Sequence, residues 1–523
     1  MASSLVLTVD LGTSGPKVSV FNEKAELIDS EFAPTQLIIT PDGGAEQDPA
    51  DWLHAIFSAY NTIAARAKFN PKEIETFNIT SQWSGTVAID ANGKPLMNGI
   101  IWMDARGAEY AGKLTDGFLK IDGYDVFKIL KWIRITGGAP TKSGKDSIAH
   151  ILYLKHKRPD VYNNARYFLE PKDYLNYYFT GRAAASFDSI TLHWITDNRN
   201  INNIHYHDGL IQQTGVEKSK LPELVSTNTI IGEMHSHLAE KMGLARHVKV
   251  VSGSPDTHSA AIGSGAVKDY EGHIYVGTSG WLLTHVPFKK TDLLHNVATI
   301  PSSLPGRYLL INEQETSGAC LNFLKNNILF PQDELSEHTA PSNFYQLADQ
   351  EVLKVPAGSN GVMFTPWLNG ERSPIDDHKT RASFLNLGLK NTRGDMVRAV
   401  YEGVANNNRW LMIYAEKLIQ KPFESLRIIG GGANSNIWCQ IMADTMNREI
   451  LQVEDPIAAN SRGSALLALT ATGKMDIDDI GKAVKVKRTF TPNPQNRQLY
   501  DERFEIYQSI YSKQKSIFKR LNK

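Results

Sequence analysis

The chain has 523 residues, which suggests two or three domains and excludes a single small binding module. Its 56 Lys and Arg balance 56 Asp and Glu, so no net field draws nucleic acid or an anionic membrane, and small molecules or other proteins are the expected partners. Apolar residues at 41% and charged residues at 21% exclude a disordered or collagen-like chain, and Cys320 and Cys439 alone are too few for a disulfide framework or a cysteine-based zinc site.

The opening MASSLVLTVDLG lacks the basic region and long apolar core of a leader, and no run of about 18 apolar residues follows, so a cytoplasmic protein is expected. Leu5 to Val9, Val18 to Phe21 and Ala25 to Ile28 read as strands of an antiparallel meander. Asp51 to Ala67 has helical periodicity, Thr76 to Thr80 and Thr86 to Ile89 read as strands, and a helix over Leu238 to Met242 precedes the strand Val248 to Val251. The pattern is α/β with mixed sheets. Gly-Thr-Ser-Gly occurs at Gly12 to Gly15 and again at Gly277 to Gly280, each time after an apolar strand, which points to a duplicated architecture. A cut near Ala266 gives domains over residues 1–266 and 267–523. Tyr500, Phe504, Tyr507 and Tyr511 recur at helical spacing and read as an amphipathic helix docked on the core.

Four loops could carry chemistry. A Gly/Thr/Ser turn between strands offers backbone N–H groups and hydroxyls to a phosphate, and in the first copy Asp10 and Lys17 flank it, a carboxylate for a Mg²⁺ shell and a cation for a terminal phosphate. The second copy has Tyr275 in place of Asp10. Val248 to His258 runs from a strand through a Gly/Pro turn to a helix, with Asp256 at the helix start, where the helix N-terminus favours an ionised and therefore weak base. Arg427 to Asn434 ends in three glycines that would let a flat ring or a phosphate lie against backbone, and Asn436 on the following helix could read a purine edge. No P-loop and no dinucleotide fingerprint is present. The pairs His205/His207 and His235/His237 read as surface loops and Glu371–Arg372 as loop-fixing.

In this order, the pieces resemble the FGGY carbohydrate kinases over essentially the whole chain. Asp10 to Lys17 looks like the family's first phosphate motif, Trp102-Met-Asp-Ala-Arg106 like its sugar-side W-x-D-x-R, and Glu170 to Leu175 like its P-K-D-Y-L. Ser254 to Thr257 looks like the segment with the catalytic Asp, Gly277 to Gly280 like the second phosphate motif. Ser317 to Cys320, Gly370 to Pro374 and Gly430 to Asn436 look like the nucleotide-side blocks. The resemblance implies two actin-like (ribonuclease H-like) domains with ATP and Mg²⁺ in a central cleft, and a homodimer is the assembly considered. Asp256 would be the base and Asp10 the metal-side carboxylate. Gly12, Thr13, Ser14, Lys17, Gly277, Thr278 and Gly318 would hold phosphates, and Gly432, Ala433 and Asn436 the adenosine. Gln82, Trp83, Ser84, Trp102, Asp104, Asp256 and Thr257 would face the substrate. The pattern is closest to the family's xylulose kinases, which implies a ketose as acceptor, with another ketose or polyol as the alternative. It departs from them at Trp83 and Ser84, where they carry Met and His, at Thr257 in place of Asn, over Ala149 to Tyr153 and at Asn386. A non-catalytic nucleotide switch and a hydrolase with paired carboxylates are the rival classes. Asp256 argues against the first and the glycine loops against the second.

Overall fold

A computed structural model describes residues 4–121, 123–335 and 339–522, so Met1 to Ser3 of the opening segment lie outside it. The apolar runs near the N-terminus form β1 (Leu5–Gly12), β2 (Gly15–Phe21) and β3 (Leu27–Phe32), an antiparallel meander. Its first turn needs a glycine, because Gly15 has φ +139° and a Cβ there would collide with the carbonyl of Ala33. Asp48 caps helix α1 (Pro49–Ala65) by accepting from Ala50 N, and Trp52, Ile56, Ala59, Tyr60 and Ile63 form its buried stripe. The chain then enters β4 (Ile74–Ser81), parallel to β1, and later β5 (Ile230–Glu233) and β6 (Lys249–Pro255), giving the order β5-β6-β4-β1-β2-β3.

The second half repeats this plan. Its strands are β7 (Gly272–Val276), β8 (Gly280–Val286), β9 (Val297–Pro301), β10 (Tyr308–Ile311), β11 (Ser425–Ile429), β12 (Glu449–Val453) and β13 (Val486–Phe490). The run β13-β12-β11-β7-β8-β10 matches β5-β6-β4-β1-β2-β3 in order and in the parallel or antiparallel sense of every pairing. Gly277 to Gly280 closes β7–β8 as Gly12 to Gly15 closes β1–β2, so the repeated tetrapeptide marks equivalent hairpins.

Each half has its own core, and a third core joins them. Val6, Val251 and Ala260 from the first half meet Trp281, Ile429, Ala465 and Leu466 from the second. At its centre helix α2 (Asp256–Gly263) crosses helix α5 (Ala459–Ala471), which also packs on β1 and β4. Between them in sequence lie α3 (Arg393–Ile419), opened by a Thr392/Asp395 capping box, and α4 (Asn436–Met446), capped by Ser435. Helix α6 (Arg497–Leu521) buries Tyr500, Phe504 and Tyr507 and sets Tyr507 and Tyr511 against Trp367 and Trp410, so its aromatic face is a docking face. Among the described residues no helix is long and apolar enough to cross a membrane.

Candidate active site

The carboxyl ends of three neighbouring parallel strands meet at one edge of the first sheet. β1 ends in the Gly12–Gly15 turn, β4 runs into Gln82 to Gly85, and β6 runs into Asp256. The register aligns Leu11 with Ser81 and Ser81 with Pro255, so the first phosphate turn, the predicted sugar loop and the predicted base emerge side by side. Asp10 pairs across the hairpin with Lys17. Burial raises the Asp10 carboxyl above its ordinary range, while Lys17 and a hydrogen bond from Asn460 on α5 pull the other way.

Burial also raises the pKa of Asp256, to about 7, with the nearby Asp10 carboxylate adding to the shift. This corrects the expectation of a weak, fully ionised base: Thr257 N–H donates to Oδ1 at 2.7 Å, but desolvation and Asp10 outweigh it. Among the described residues no group of three or more His, Cys, Asp or Glu could hold a metal ion, so a divalent cation here would need nucleotide phosphates beside Asp10. The histidine pairs, expected in surface loops, lie at short elements instead, His205 on the strand His205–Tyr206 and His237 on the helix Ser236–Lys241. His207 Nδ1 accepts from Leu210 N–H at a helix start, and His235 and His237 stack on each other.

The predicted sugar residues form a hydrogen-bonded relay with the phosphate turn. Trp102 Nε1 donates to Thr13 Oγ1 at 2.9 Å, and that hydroxyl donates to Gln82 Oε1 at 3.0 Å. Gln82 Nε2 donates to Gln47 Oε1 at 2.7 Å, and Gln47 Nε2 donates to the carbonyl of Thr13 at 2.8 Å. Trp83 is partly exposed, donates to the Ser189 carbonyl at 2.9 Å and lies edge-on to His258. Thr257 is buried against the same His258, with Oγ1 3.3 Å from Nδ1.

Two of the predicted contacts are buried and have partners within the protein. Ser84, at φ +64°, is buried and donates its hydroxyl to the Lys145 carbonyl at 2.6 Å. Asp104 is buried, with its oxygens occupied by Arg106 and by Ala45 N–H.

In the second half, Gly318 N–H donates to the Gly277 carbonyl at 2.6 Å and Ser317 N–H to the Thr278 carbonyl at 3.0 Å, which seats residues 317–318 on the β7–β8 hairpin. Thr278 and Ser14 are exposed at the two hairpins. Gly430 has φ +88°, and a Cβ on Gly432 would strike Val276 at 2.4 Å or so close that only glycine fits. Gly431 faces open space, Ala433 is buried, and Asn436 is exposed with Oδ1 accepting from Gln452 Nε2 at 3.2 Å. Tyr275, the second hairpin's counterpart of Asp10, stacks on Trp281 with ring centroids 3.9 Å apart. Burial raises its pKa to about 12, and the charges of Asp256 and Asp10 add to the effect.

Other residues that hold this site together were given no ligand contact by the sequence. Gln47 closes the relay with Thr13. Glu170, fully buried, accepts from Gly85 N–H at 2.8 Å through one oxygen and bonds Ser147 Oγ through the other. Glu371 is buried and accepts from Glu315 N–H, Arg372 N–H and Asn407, a loop-fixing role.

Residues 5–263 match the FGGY family of carbohydrate kinases, N-terminal domain, and residues 272–472 match its C-terminal domain. A xylulose kinase of Staphylococcus epidermidis is 27% identical over 99% of this chain and 98% of its own length. A gluconokinase of Bacillus subtilis is 26% identical over 91% of this chain and 89% of its own. Among solved structures, a gluconate kinase from Lactobacillus acidophilus aligns with TM-score 0.85 at 23% identity, covering 99% of this chain and 100% of that one. A ligand-bound xylulose kinase from the same organism gives 0.84 at 23% identity, covering 99% and 100%. At these identities the structural likeness speaks to fold, the actin-like two-domain architecture.

Proposed function

The chain belongs to the FGGY family of carbohydrate kinases and is an ATP-dependent sugar kinase, and from that premise we propose how its residues divide the work. Asp256 is the base that accepts the proton of the attacking hydroxyl. The observation that carries this is its raised pKa, about 7, at the strand edge it shares with the first phosphate turn and the sugar loop. A base with a pKa near the working pH combines a large ionised fraction with real proton affinity.

The phosphate groups of ATP lie between the two hairpins, against the backbone of Gly12, Thr13, Gly277 and Gly318, held by the exposed hydroxyls of Ser14 and Thr278 and by Lys17. Gly432 and Ala433 give the nucleoside a flat backbone surface, and Asn436 contacts the base. Mg²⁺ fits beside Asp10, since one buried carboxylate plus phosphate oxygens is the donor set such an ion takes. When bound, it neutralises charge developing on the phosphate oxygens. The division between the domains falls near Ala266, where β6 and α2 have ended and β7 has not begun.

The acceptor is an open-chain polyhydroxy compound with a terminal hydroxyl, with a ketose such as D-xylulose as the first candidate. The relatives named xylulose kinase support that class, and the gluconokinases share the same open chain. Trp83 offers its ring to C–H groups of the chain, and Trp102 closes the pocket next to Thr13. A panel of ketoses, polyols and aldonic acids with ADP release as readout tests this. ADP release only with cyclic aldoses would refute the open-chain acceptor.

A further inference from the structure

His258 is buried and polar, and the chemistry proposed above gives it no part. It stands in the first turn of α2, two residues after Asp256, and is 1% exposed. Its Nε2 lies 3.2 Å from the carbonyl oxygen of Pro301, at the end of β9 in the second half, and its Nδ1 lies 3.3 Å from Thr257 Oγ1. A carbonyl oxygen can only accept, so Nε2 carries the proton and Nδ1 accepts from the Thr257 hydroxyl. Burial lowers the pKa of the ring, which keeps it neutral and in that tautomer, although Asp188 acts in the opposite direction. Thr257 in turn donates its N–H to Asp256 Oδ1 at 2.7 Å.

The same imidazole meets the sugar loop. Its ring stands perpendicular to Trp83, at 88° with centroids 5.1 Å apart. The indole is fixed a second time through its N–H, which donates to the Ser189 carbonyl at 2.9 Å. Ser189 N–H donates to Asp188 Oδ1 at 2.8 Å, and Asp188 Oδ2 accepts from Ser303 Oγ at 2.8 Å, two residues past Pro301. Asp188, Ser189 and Ser303 are all buried. The turn that carries Pro301 and Ser303 is itself tied, with Ser302 N–H donating to the Arg307 carbonyl at 3.1 Å and Leu304 N–H to Ser302 Oγ at 3.0 Å. One turn of the second half therefore reaches Trp83 by two routes and the neighbour of Asp256 by one.

We propose that His258 is a positioning residue with two separable tasks: its ring sets the tilt of Trp83 against the acceptor, and its Nδ1 holds Thr257, and with it Asp256, in place. Pro301 fixes the imidazole in the orientation that serves both. The ring acts on acceptor binding and the nitrogen on turnover, because Trp83 touches the acceptor while Asp256 takes its proton. The inference rests on that reading of Trp83 and Asp256.

The test uses the full chain with ATP and, as acceptor, D-xylulose, xylitol or D-gluconate. His258→Phe keeps a flat ring beside Trp83 and removes both hydrogen bonds, so kcat should fall about tenfold or more with the acceptor KM nearly unchanged. His258→Asn keeps an acceptor near the place of Nδ1 and removes the ring, so the acceptor KM should rise about tenfold with kcat nearly unchanged. Thr257→Val preserves shape, deletes only the hydroxyl at Nδ1, and should lower kcat as His258→Phe does, which keeps the test decisive where a His258 variant folds poorly. Ser303→Ala loosens only the route through Asp188 and should raise the acceptor KM about threefold or more. KM for ATP should stay put in all four, and thermal denaturation of each separates binding from folding. Trp83→Ala and Asp256→Asn are the references. An unchanged acceptor KM in the first or an unchanged kcat in the second would sink the reading of the site and this inference with it. With both references impaired, His258→Phe and His258→Asn losing kcat and KM alike, or losing only Tm, would overturn the positioning role and leave Trp83 and Asp256 standing.

Discussion

Trp102 and Thr13 are joined by a 2.9 Å hydrogen bond from the indole N–H to the threonine hydroxyl, so a side chain of the sugar pocket ends on the loop proposed to hold the terminal phosphate. The hydroxyl hands its own proton to Gln82, and one small group therefore reports on both ligands. Thr13→Val keeps the shape and removes both bonds, leaving the Trp102 N–H and the Gln82 oxygen unpaired at a cost of about 1–3 kcal/mol. We expect KM to rise for ATP and for the sugar in the same variant, each about tenfold or more. Steady-state kinetics with both substrates varied checks this, and a change confined to ATP would show that the relay does not couple the two sites.

Asp256 sets the pH profile. Activity needs its ionised form, so kcat/KM should rise with pH and level off above about 7, the raised pKa of the free enzyme. Asp256→Asn should lower kcat by about 10²–10⁴ and abolish that limb. The stability sign runs the other way. A carboxyl with a raised folded pKa contributes fully below its ordinary value of 3.8, and that contribution is lost as pH rises through about 7. Asn cannot ionise, so Asp256→Asn should gain Tm relative to wild type between pH 5 and pH 8 on the order of a few degrees. Denaturation scans at the two pH values measure it, and a gap that does not widen would mean that the carboxyl is not desolvated.

Much of this site is legible in the sequence because it is built from backbone turns. Gly15 and Gly430 are demanded by close backbone approach and positive φ, Gly277 and Gly432 by the side chains of Tyr275 and Val276, and strand-then-glycine is a local signal. The helix α1 was likewise written in its apolar stripe, with its start moved from Asp51 to Pro49 because Asp48 rather than a later residue supplies the cap. The side chains that give those turns their context were not legible. Gln47, Lys145 and Glu170 meet the sugar loop only through tertiary contacts across 35 to 85 residues of chain, and polar residues in such positions look like any others. The internal partners of Ser84 and Asp104 were not legible either: a motif shows which residue stands in a loop, not which neighbour, such as Arg106, its polar atoms meet.

The crossing of α2 and α5 is a close-packed joint between the halves. A Cβ on Gly263 would collide with the carbonyl of Ala459, and one on Gly463 with the carbonyl of Ser259. Gly463→Val would force the helices apart, at a cost of about 1–3 kcal/mol from overpacking. Because α2 begins at Asp256 and α5 supplies Asn460 to Asp10, the same shift would move both carboxylates. We expect a lower Tm and a loss of kcat, with ATP affinity less affected. A variant with full turnover and only a lower Tm would show that the crossing holds the fold and not the site.

Glu170 offers the cleanest separation of charge from geometry. Its carboxyl is wholly buried, and desolvation lifts its pKa to about 8, while the hydrogen bonds of Ser147 and Gly85 act in the opposite direction. At neutral pH it is therefore mostly protonated, accepting from Gly85 N–H at 2.8 Å with one oxygen. Stability from this group is full below its ordinary value of 4.5 and is lost as pH rises through about 8. Glu170→Gln mimics the neutral form, so it should fold and turn over like wild type at pH 6 and be the more stable of the two at pH 9. Glu170→Ala instead strands the Gly85 N–H, at a cost of about 1–3 kcal/mol, and frees the loop carrying Trp83. Its KM for the sugar should rise about tenfold, with KM for ATP unchanged. Denaturation at both pH values and sugar-dependent kinetics for the pair of variants decide the matter. If Glu170→Gln weakened sugar binding as much as Glu170→Ala, a negative charge rather than the buried hydrogen bonds would have to be what holds the sugar loop in place.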